Sequence, residues 1–164
     1  MTKKKNDIQH KIEFSIQHIK KLQFIETDPS LLGIEKKSFP EAKIDMGFGL
    51  IPNDKLEMVS IQMNADFYII ENEQKIVLFG IRTEYAFKIK DFTNVFQMAK
   101  DGKVTIPDVF MHIFLNVTIA GTRGMIAALI TVEKYRHLIL PPLDMGRILT
   151  EMKNPQKVPQ EQPI

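Results

Sequence analysis

The first half of the chain alternates apolar and polar residues with a period of two, which is the pattern of half-buried β-strands. The alternation stops at Asp28-Pro29-Ser30, because proline fixes φ and removes a hydrogen-bond donor. Two later clusters of turn-forming residues divide the remainder of this half. The four predicted strands cover about residues 12–24, 42–50, 59–69 and 77–89.

The fourth predicted strand is strongly apolar on one side. Val77, Phe79 and Ile81 share this side with the odd-numbered residues that follow, whereas Ile76 and Leu78 face the other way. The short polar connection before this strand has the length of a hairpin loop. We therefore predict that the third and fourth strands pair antiparallel.

The second half of the chain changes to helical spacing. Ile106-Pro107-Asp108 resembles a helix start with proline in the first turn, and apolar residues then recur at helical intervals from Val109. Gly121 and Gly124 interrupt this run, and a glycine costs about 1 kcal/mol inside a helix. We expect a break or kink near Gly121. One long helix that uses both glycines for close packing is the alternative.

The end of the predicted domain is extended and then helical. Leu138 to Leu140 precede Pro141 and Pro142, and residues before proline avoid the helical region. Asp144 is a predicted cap for a last helix over residues 145–152. Strands followed by helices predict an α+β fold, a four-stranded antiparallel sheet with helices packed on one face.

Length and composition predict a single folded unit. The chain has 164 residues, of which 44% are hydrophobic and 26% charged, and this fits one globular domain. We predict this domain over residues 11–152. A basic flexible tail is expected at 1–10, and a disordered tail rich in proline and glutamine at 153–164.

Charge and residue usage narrow the class of protein. The absence of cysteine excludes disulfides and thiolate chemistry, and a net charge of +2 is too small to indicate nucleic-acid binding. No apolar run follows the basic start, so no secretory signal is predicted. The most apolar run, Val109 to Ile119, is too short to span a membrane. We interpret the chain as a cytoplasmic protein.

The sequence offers few candidates for catalysis or metal binding. The four histidines lack metal-ligand spacing, and no serine nucleophile motif is present. Residues 121–124 follow a helical run and not a strand, which favours helix packing over a phosphate-binding loop. Arg123 is interpreted as a structural hydrogen-bonding residue. We predict a protein that is not an enzyme and has no metal or other cofactor.

Four stretches, taken in order and spacing over about residues 12–150, resemble the SecB family of export chaperones. Residues 40–46 are similar to the strand that follows the crossover loop of the family, and residues 76–89 to its aromatic-rich final strand. Arg123 stands where the main helix of the family carries an arginine. Residues 138–145 resemble the extended apolar run that leads into its last helix.

The resemblance implies both an architecture and an activity. SecB proteins assemble as a dimer of dimers and hold non-native polypeptides before export, without ATP. Their clients lie in an apolar groove between the crossover loop, the final strand and the last helix. The polypeptide-binding residues implied for this chain are Leu31, Ile34, Phe39, Val77, Phe79, Ile81 and Met145.

The chain also departs from the family. Proteobacterial members dock the translocation motor SecA through carboxylates on the sheet, whereas this chain has Lys20 and Lys21 on the first strand and Gly80 on the fourth. These residues weaken the expectation that SecA is a partner. Met145 stands where the family often has phenylalanine.

Three alternatives to an export chaperone stay open. Divergent members of the family are chaperones linked to toxin–antitoxin systems, so the client could be one antitoxin. A small-ligand binding protein or enzyme would need a closed cavity between sheet and helix. An oligomeric scaffold would fill its apolar strand face with its own copies. The polar candidates for a cavity are Tyr68, Tyr85 and Asp66.

Overall fold

A computed structural model describes residues 13–34, 42–98 and 104–153. Four long strands form an antiparallel sheet in the order β1-β4-β3-β2, with β1 and β2 at its edges. Helices follow the strands along the chain, which confirms the predicted α+β class. The sheet strands are β1 (Phe14–Glu26), β2 (Lys43–Asn53), β3 (Met58–Glu71) and β4 (Gln74–Ile89).

The two faces of the sheet differ in chemistry. The odd-numbered side chains of β3 and β4 from Val59 to Phe67 and from Phe79 to Ile89 are buried and form the core. Their neighbours along each strand point the other way, because successive strand residues alternate between faces. We call the buried side the helix face and the opposite side the outer face.

One long helix, α2 (Asp108–Leu129), covers the helix face of β3 and β4. It begins at Asp108, so Pro107 lies at the cap position before the helix and not in its first turn, where the sequence predicted it. The expected break near Gly121 is wrong, and the alternative of a single long helix is correct. Gly121 lies against the side chain of Tyr85, where a Cβ atom would collide with the phenol, whereas Gly124 faces open space. Close packing against Tyr85 therefore explains the need for glycine at position 121. Gly124 has no such contact.

An aromatic cluster anchors the first half of α2 on the sheet. Phe114 is fully buried and stacks on Phe87 of β4, with ring centroids 4.3 Å apart. Phe14 of β1 meets Phe114 edge-on at 5.5 Å, and Phe110 lies 5.7 Å away. These arrangements are the favourable ones for aromatic pairs, so this end of the helix is held by ring packing.

Helix α2 is long and apolar enough, by length and composition, to cross a membrane. In its most apolar window, 44% of the helix is buried inside the fold. A core helix of a globular protein meets the same test. The helix has 22 residues and so extends beyond Val109 to Ile119, the most apolar run of the sequence.

The chain after α2 returns to the sheet and then ends in a short helix. Arg123 on α2 donates hydrogen bonds to the carbonyl oxygens of Leu140 and Pro141, both at 3.0 Å. This confirms that Arg123 is a structural hydrogen-bonding residue. The side chain of Asp144 accepts a hydrogen bond from the amide of Arg147 at 3.2 Å, as a helix cap does. The last helix is α3 (Met145–Lys153), which packs on α2.

Two parts of the fold were not predicted. The connection between β4 and α2 contains a short helix and a two-stranded ribbon. The segment after α2 buries Tyr135 completely, although its neighbours Glu133, Lys134 and Arg136 are exposed. The hydroxyl of Tyr135 donates a hydrogen bond to the carbonyl oxygen of Thr27 at 2.9 Å. The additional elements are α1 (Phe92–Val95), β5 (Gln97–Met98) and β6 (Val104–Thr105).

Candidate polypeptide-binding surface

Three of the seven implied binding residues belong to the core. Phe79 and Ile81 are completely buried, and Ile34 is 1% exposed. Phe79 stacks on Phe67 of β3 with ring centroids 4.3 Å apart and also meets Tyr135. These side chains have no surface to offer a bound chain in this conformation. They hold the turn after β1, the sheet and the Tyr135 segment together.

Val77 does not share a face with Phe79, contrary to the alternation read from the sequence. Phe79 lies opposite Phe67, but Val77 lies opposite the next residue of β3, Tyr68. The register therefore shifts by one residue between Phe79 and Val77. Directly opposed residues point to the same face, so Val77 lies on the outer face. The extra residue, Leu78, is fully buried. A β-bulge thus exchanges the two predicted orientations.

Leu31 is the most exposed of the implied residues, at 81% of its surface. It lies on a 3₁₀ turn, Pro29–Leu32, that Asp28 caps by accepting hydrogen bonds from Ser30. The hydrogen bonds from Ser30 lower the pKa of the Asp28 carboxyl below its usual value. The hydroxyl of Thr27, just before the turn, donates to the carbonyl oxygen of Val77 at 3.0 Å. This end of β4 therefore adjoins the turn that exposes Leu31.

Of the remaining two implied residues, one is half-buried and the other lies outside the described residues. Met145 is half-buried at the start of α3 and packs against the core. Phe39 lies outside the described residues. Leu31, Val77 and Met145 are therefore the implied residues that the structure leaves accessible.

Sequence reasoning missed a row of exposed apolar side chains on edge strand β1. Its four large aliphatic side chains are between 43% and 51% exposed. Strand β1 pairs with β4 on one side, and no strand of the described chain pairs with its other side. We call this row the β1 aliphatic row. It consists of Ile16, Ile19, Leu22 and Ile25.

The β1 aliphatic row occupies both faces of its strand. Ile16 and Ile19 pair with the helix-face residues Phe87 and Tyr85, yet α2 packs over β3 and β4 and leaves them half-exposed. Ile25 pairs with Gly80 and points to the outer face. Leu22 lines a shallow outer depression of about 330 Å³. An extended chain placed along this edge would therefore meet apolar side chains on both of its faces.

Two bulges interrupt the pairing of β1 with β4. The register shifts between Ile16 and His18 and again between Lys21 and Gln23. Bulges at a sheet edge increase the local twist and discourage uncontrolled edge-to-edge pairing. The edge of β1 is therefore irregular, which disfavours direct pairing with the edge of another sheet.

Three carboxylates of the outer face already have cationic or hydrogen-bonding partners. Asp66 contacts Arg82 at 2.9 Å, and Asp45 contacts Lys75 at 2.9 Å. Glu84 accepts hydrogen bonds from Gln62 and His18, which lower the pKa of its carboxyl below the usual value. Each of these carboxylates is partly exposed and contacts a cationic or hydrogen-bonding side chain. The outer face therefore presents no acidic patch without partners at these positions.

The polar residues proposed for a ligand cavity do not converge. Tyr85 lies in the core beside α2, and burial raises the pKa of its hydroxyl above the usual value. Asp66 lies on the outer face with its carboxylate paired to Arg82, and Tyr68 stacks under Lys75 on that same face. A sheet separates the first residue from the other two. Among the described residues, no cluster of histidine, aspartate or glutamate could hold a metal ion.

Comparisons with known proteins leave the family open. No family model matches the chain, and no curated protein matches it. Among solved structures, a protein of unknown function from Streptococcus agalactiae aligns with 72% of this chain and 90% of its own, at 15% sequence identity and a TM-score of 0.28. At this TM-score we draw no inference about fold or function from the alignment.

Proposed function

We propose that the protein is an ATP-independent holdase chaperone that binds extended segments of non-native polypeptides along β1. The observation that carries the proposal is the β1 aliphatic row, four half-exposed aliphatic side chains on one edge strand. Leu31, on the turn that follows β1, and Val77, on the end of β4 that adjoins this turn, are accessible as well. The order of sequence stretches that resembles the SecB family supports the same class of activity.

The chemistry of this surface suits clients of many sequences. Burying the exposed half of an aliphatic side chain contributes about 1 kcal/mol, so the β1 aliphatic row gives modest binding at one site. An extended client can also hydrogen-bond to the free backbone of an edge strand, whatever its side chains are. Such contacts do not depend on one side-chain shape, which is what a holdase needs.

Assembly would raise the affinity of a weak site. In the dimer of dimers that the SecB resemblance implies, one client could bind several copies, and effective concentration would then tighten its overall binding. Delivery of clients to export is also part of this proposal and depends on that resemblance. A role for SecA is not included, because Asp45 and Asp66 already contact cationic side chains and Glu84 accepts hydrogen bonds from Gln62 and His18.

The experiment that tests the proposal is suppression of aggregation. A denatured client protein is diluted into buffer without ATP, and light scattering is followed with and without the purified chain. We expect suppression by the wild type and its loss in Ile19→Gln/Leu22→Gln, which removes the centre of the β1 aliphatic row.

A matched variant controls for general loss of surface hydrophobicity. Leu56→Gln/Ile70→Gln removes two aliphatic side chains that are equally exposed, 55% and 53%, but lie away from β1. This variant should suppress aggregation as the wild type does. A wild-type protein that never suppresses aggregation refutes the function, and equal loss in both variants refutes the surface.

A further inference from the structure

The middle of β1 is positively charged and the acidic residues at its ends are already engaged. Lys20 and Lys21 are both exposed, and Lys21 makes no ion pair within the described residues. Glu13 near one end contacts Lys90 at 2.7 Å. Glu26 at the other end accepts hydrogen bonds from the backbone that follows α2. The two lysines of this edge therefore lie between the aliphatic residues of the β1 aliphatic row, and Lys20 lies opposite the carboxylate of Glu84.

The lysines lie on both faces of the edge. Lys20 lies opposite Glu84 in the strand register and so points to the outer face. The carboxylate of Glu84 also contacts His18. Lys21 pairs with buried Thr83 and so points to the helix face. A strand added beside them would place two successive residues next to the two ammonium groups, one on each face.

This charge disfavours a second copy of the same strand as the occupant. Two β1 strands paired antiparallel about their midpoint, residue 20, would place Lys20 opposite its own counterpart, with Lys21 one position away. Like charges that oppose each other across strands are destabilising. Lysines on an edge also discourage indiscriminate pairing. A strand that carries carboxylates at these positions avoids this repulsion and places one carboxylate beside Lys21, which has no ion pair within the described residues, and one beside Lys20.

We propose that the edge of β1 selects extended segments in which adjacent carboxylates are flanked by aliphatic residues. This inference rests on the proposed function and names the class of segment that the same surface binds. Aliphatic side chains of the guest meet the β1 aliphatic row, and its carboxylates meet Lys20 and Lys21. The two opposite-charge pairs make such a segment bind about fivefold to tenfold more tightly than its neutral counterpart.

Three labelled peptides of equal length and equal valine content test the selection. They differ only at two adjacent central positions, which are glutamate, glutamine or lysine. Binding to the full chain is measured by fluorescence anisotropy at low salt and at 1 M salt. We expect the glutamate peptide to bind most tightly and the lysine peptide least, with the difference shrinking at high salt because the charges are exposed.

Charge reversal shows whether these two lysines make the selection. Lys20→Glu/Lys21→Glu should reverse the order of the glutamate and lysine peptides. Lys55→Glu/Lys134→Glu makes the same change in net charge at exposed sites off β1 and should keep the wild-type order. Equal binding of all three peptides to the wild type, or an unchanged order after reversal at β1, overturns the inference.

The outcomes separate this inference from the proposed function. If the peptides bind equally while a denatured client is still kept soluble, the selection is wrong and the holdase function stands. If no peptide binds and the client aggregates, the function itself fails. If light scattering shows a dimer that Lys20→Glu/Lys21→Glu alone dissociates or tightens, and no peptide displaces the second copy, β1 is a self-association edge and the inference is overturned.

Discussion

At the scale of single residues, the two glycines of α2 differ in the space available for a side chain. A Cβ at Gly121 would collide with the phenol of Tyr85, whereas nothing lies within 4 Å of a Cβ at Gly124. Overpacking a core costs about 1–3 kcal/mol, and replacing an exposed helical glycine by alanine stabilises by about 0.5–1 kcal/mol. Gly121→Ala should therefore lower the free energy of unfolding by about 1–2 kcal/mol, and Gly124→Ala should raise it.

Urea unfolding of the two variants and the wild type, followed by circular dichroism, checks this pair. Each variant is the matched control of the other, since both change glycine to alanine in the same helix. Equal midpoints for the two would contradict the packing of Gly121 on Tyr85.

Tyr135 predicts a pH dependence of stability in the alkaline range. Burial, with the nearby charges of Glu26 and Asp28, raises the pKa of the Tyr135 hydroxyl to about 12. The unfolded chain releases this proton near pH 10, so the stability that the neutral phenol contributes is complete below pH 10 and is lost between pH 10 and 12. The stability gap between wild type and Tyr135→Phe should narrow over that range.

The gap is measured as the difference in urea midpoint between the two proteins at pH 8 and at pH 11. Groups other than Tyr135 titrate in both proteins and cancel in the difference. A gap that stays constant would show that folding does not raise the pKa of the Tyr135 hydroxyl.

Sequence patterns identified apolar residues better than they identified which of them are accessible. Ile34, Phe79 and Ile81 were correctly taken as apolar positions of the loop and of the fourth strand, but they are buried. Alternation assigns a residue to a face and does not say what covers that face. The bulge that moves Val77 to the outer face depends on the pairing with β3, so alternation along one strand could not predict it.

At the scale of elements, the strands and the ends of the helices were predicted from local signals. The turn at Asn72 and Glu73 has positive φ at both residues, which is the backbone of a two-residue hairpin. Asp144 precedes the first residue of α3 and caps it, as the capping rules predict. Pro107 marks the start of α2 but lies one residue before it. The helix break was wrongly predicted, because helix propensity ignores the close approach of Tyr85 to Gly121.

Arg123 links α2 to the extended run that precedes α3. Its guanidinium donates to the carbonyl oxygens of Leu140 and Pro141, and so ties the extended run before α3 to α2. Arg123→Ala should lower the free energy of unfolding by about 1–3 kcal/mol, since two carbonyl groups lose their partner. It should also speed proteolysis within residues 138–142.

Limited proteolysis with mass spectrometry locates the cleavage in this variant. Arg136→Ala, which removes an exposed arginine paired with Glu133, is the control and should be cleaved as the wild type is. Cleavage of Arg123→Ala at the wild-type rate would mean that the extended run is held by its apolar side chains alone.

For the whole molecule, the sequence predicted the fold class but not which surfaces stay open. The order of strands in the sheet makes β1 an edge. This order, together with a helix that packs mainly on β3 and β4, leaves Ile16 and Ile19 exposed. Strand order depends on contacts between distant segments. Alternation within each strand does not encode it, and so the β1 aliphatic row emerged only from the structure.

Hydrogen–deuterium exchange on the protein with and without a bound unfolded client tests the central claim most directly. Amides of β1 that do not bond to β4 should gain protection when the client binds, because the client forms backbone hydrogen bonds with this edge. Amides of β2, the opposite edge, should exchange as they do in the free protein. Protection confined to β2 or to the outer face, with none on β1, would contradict the account.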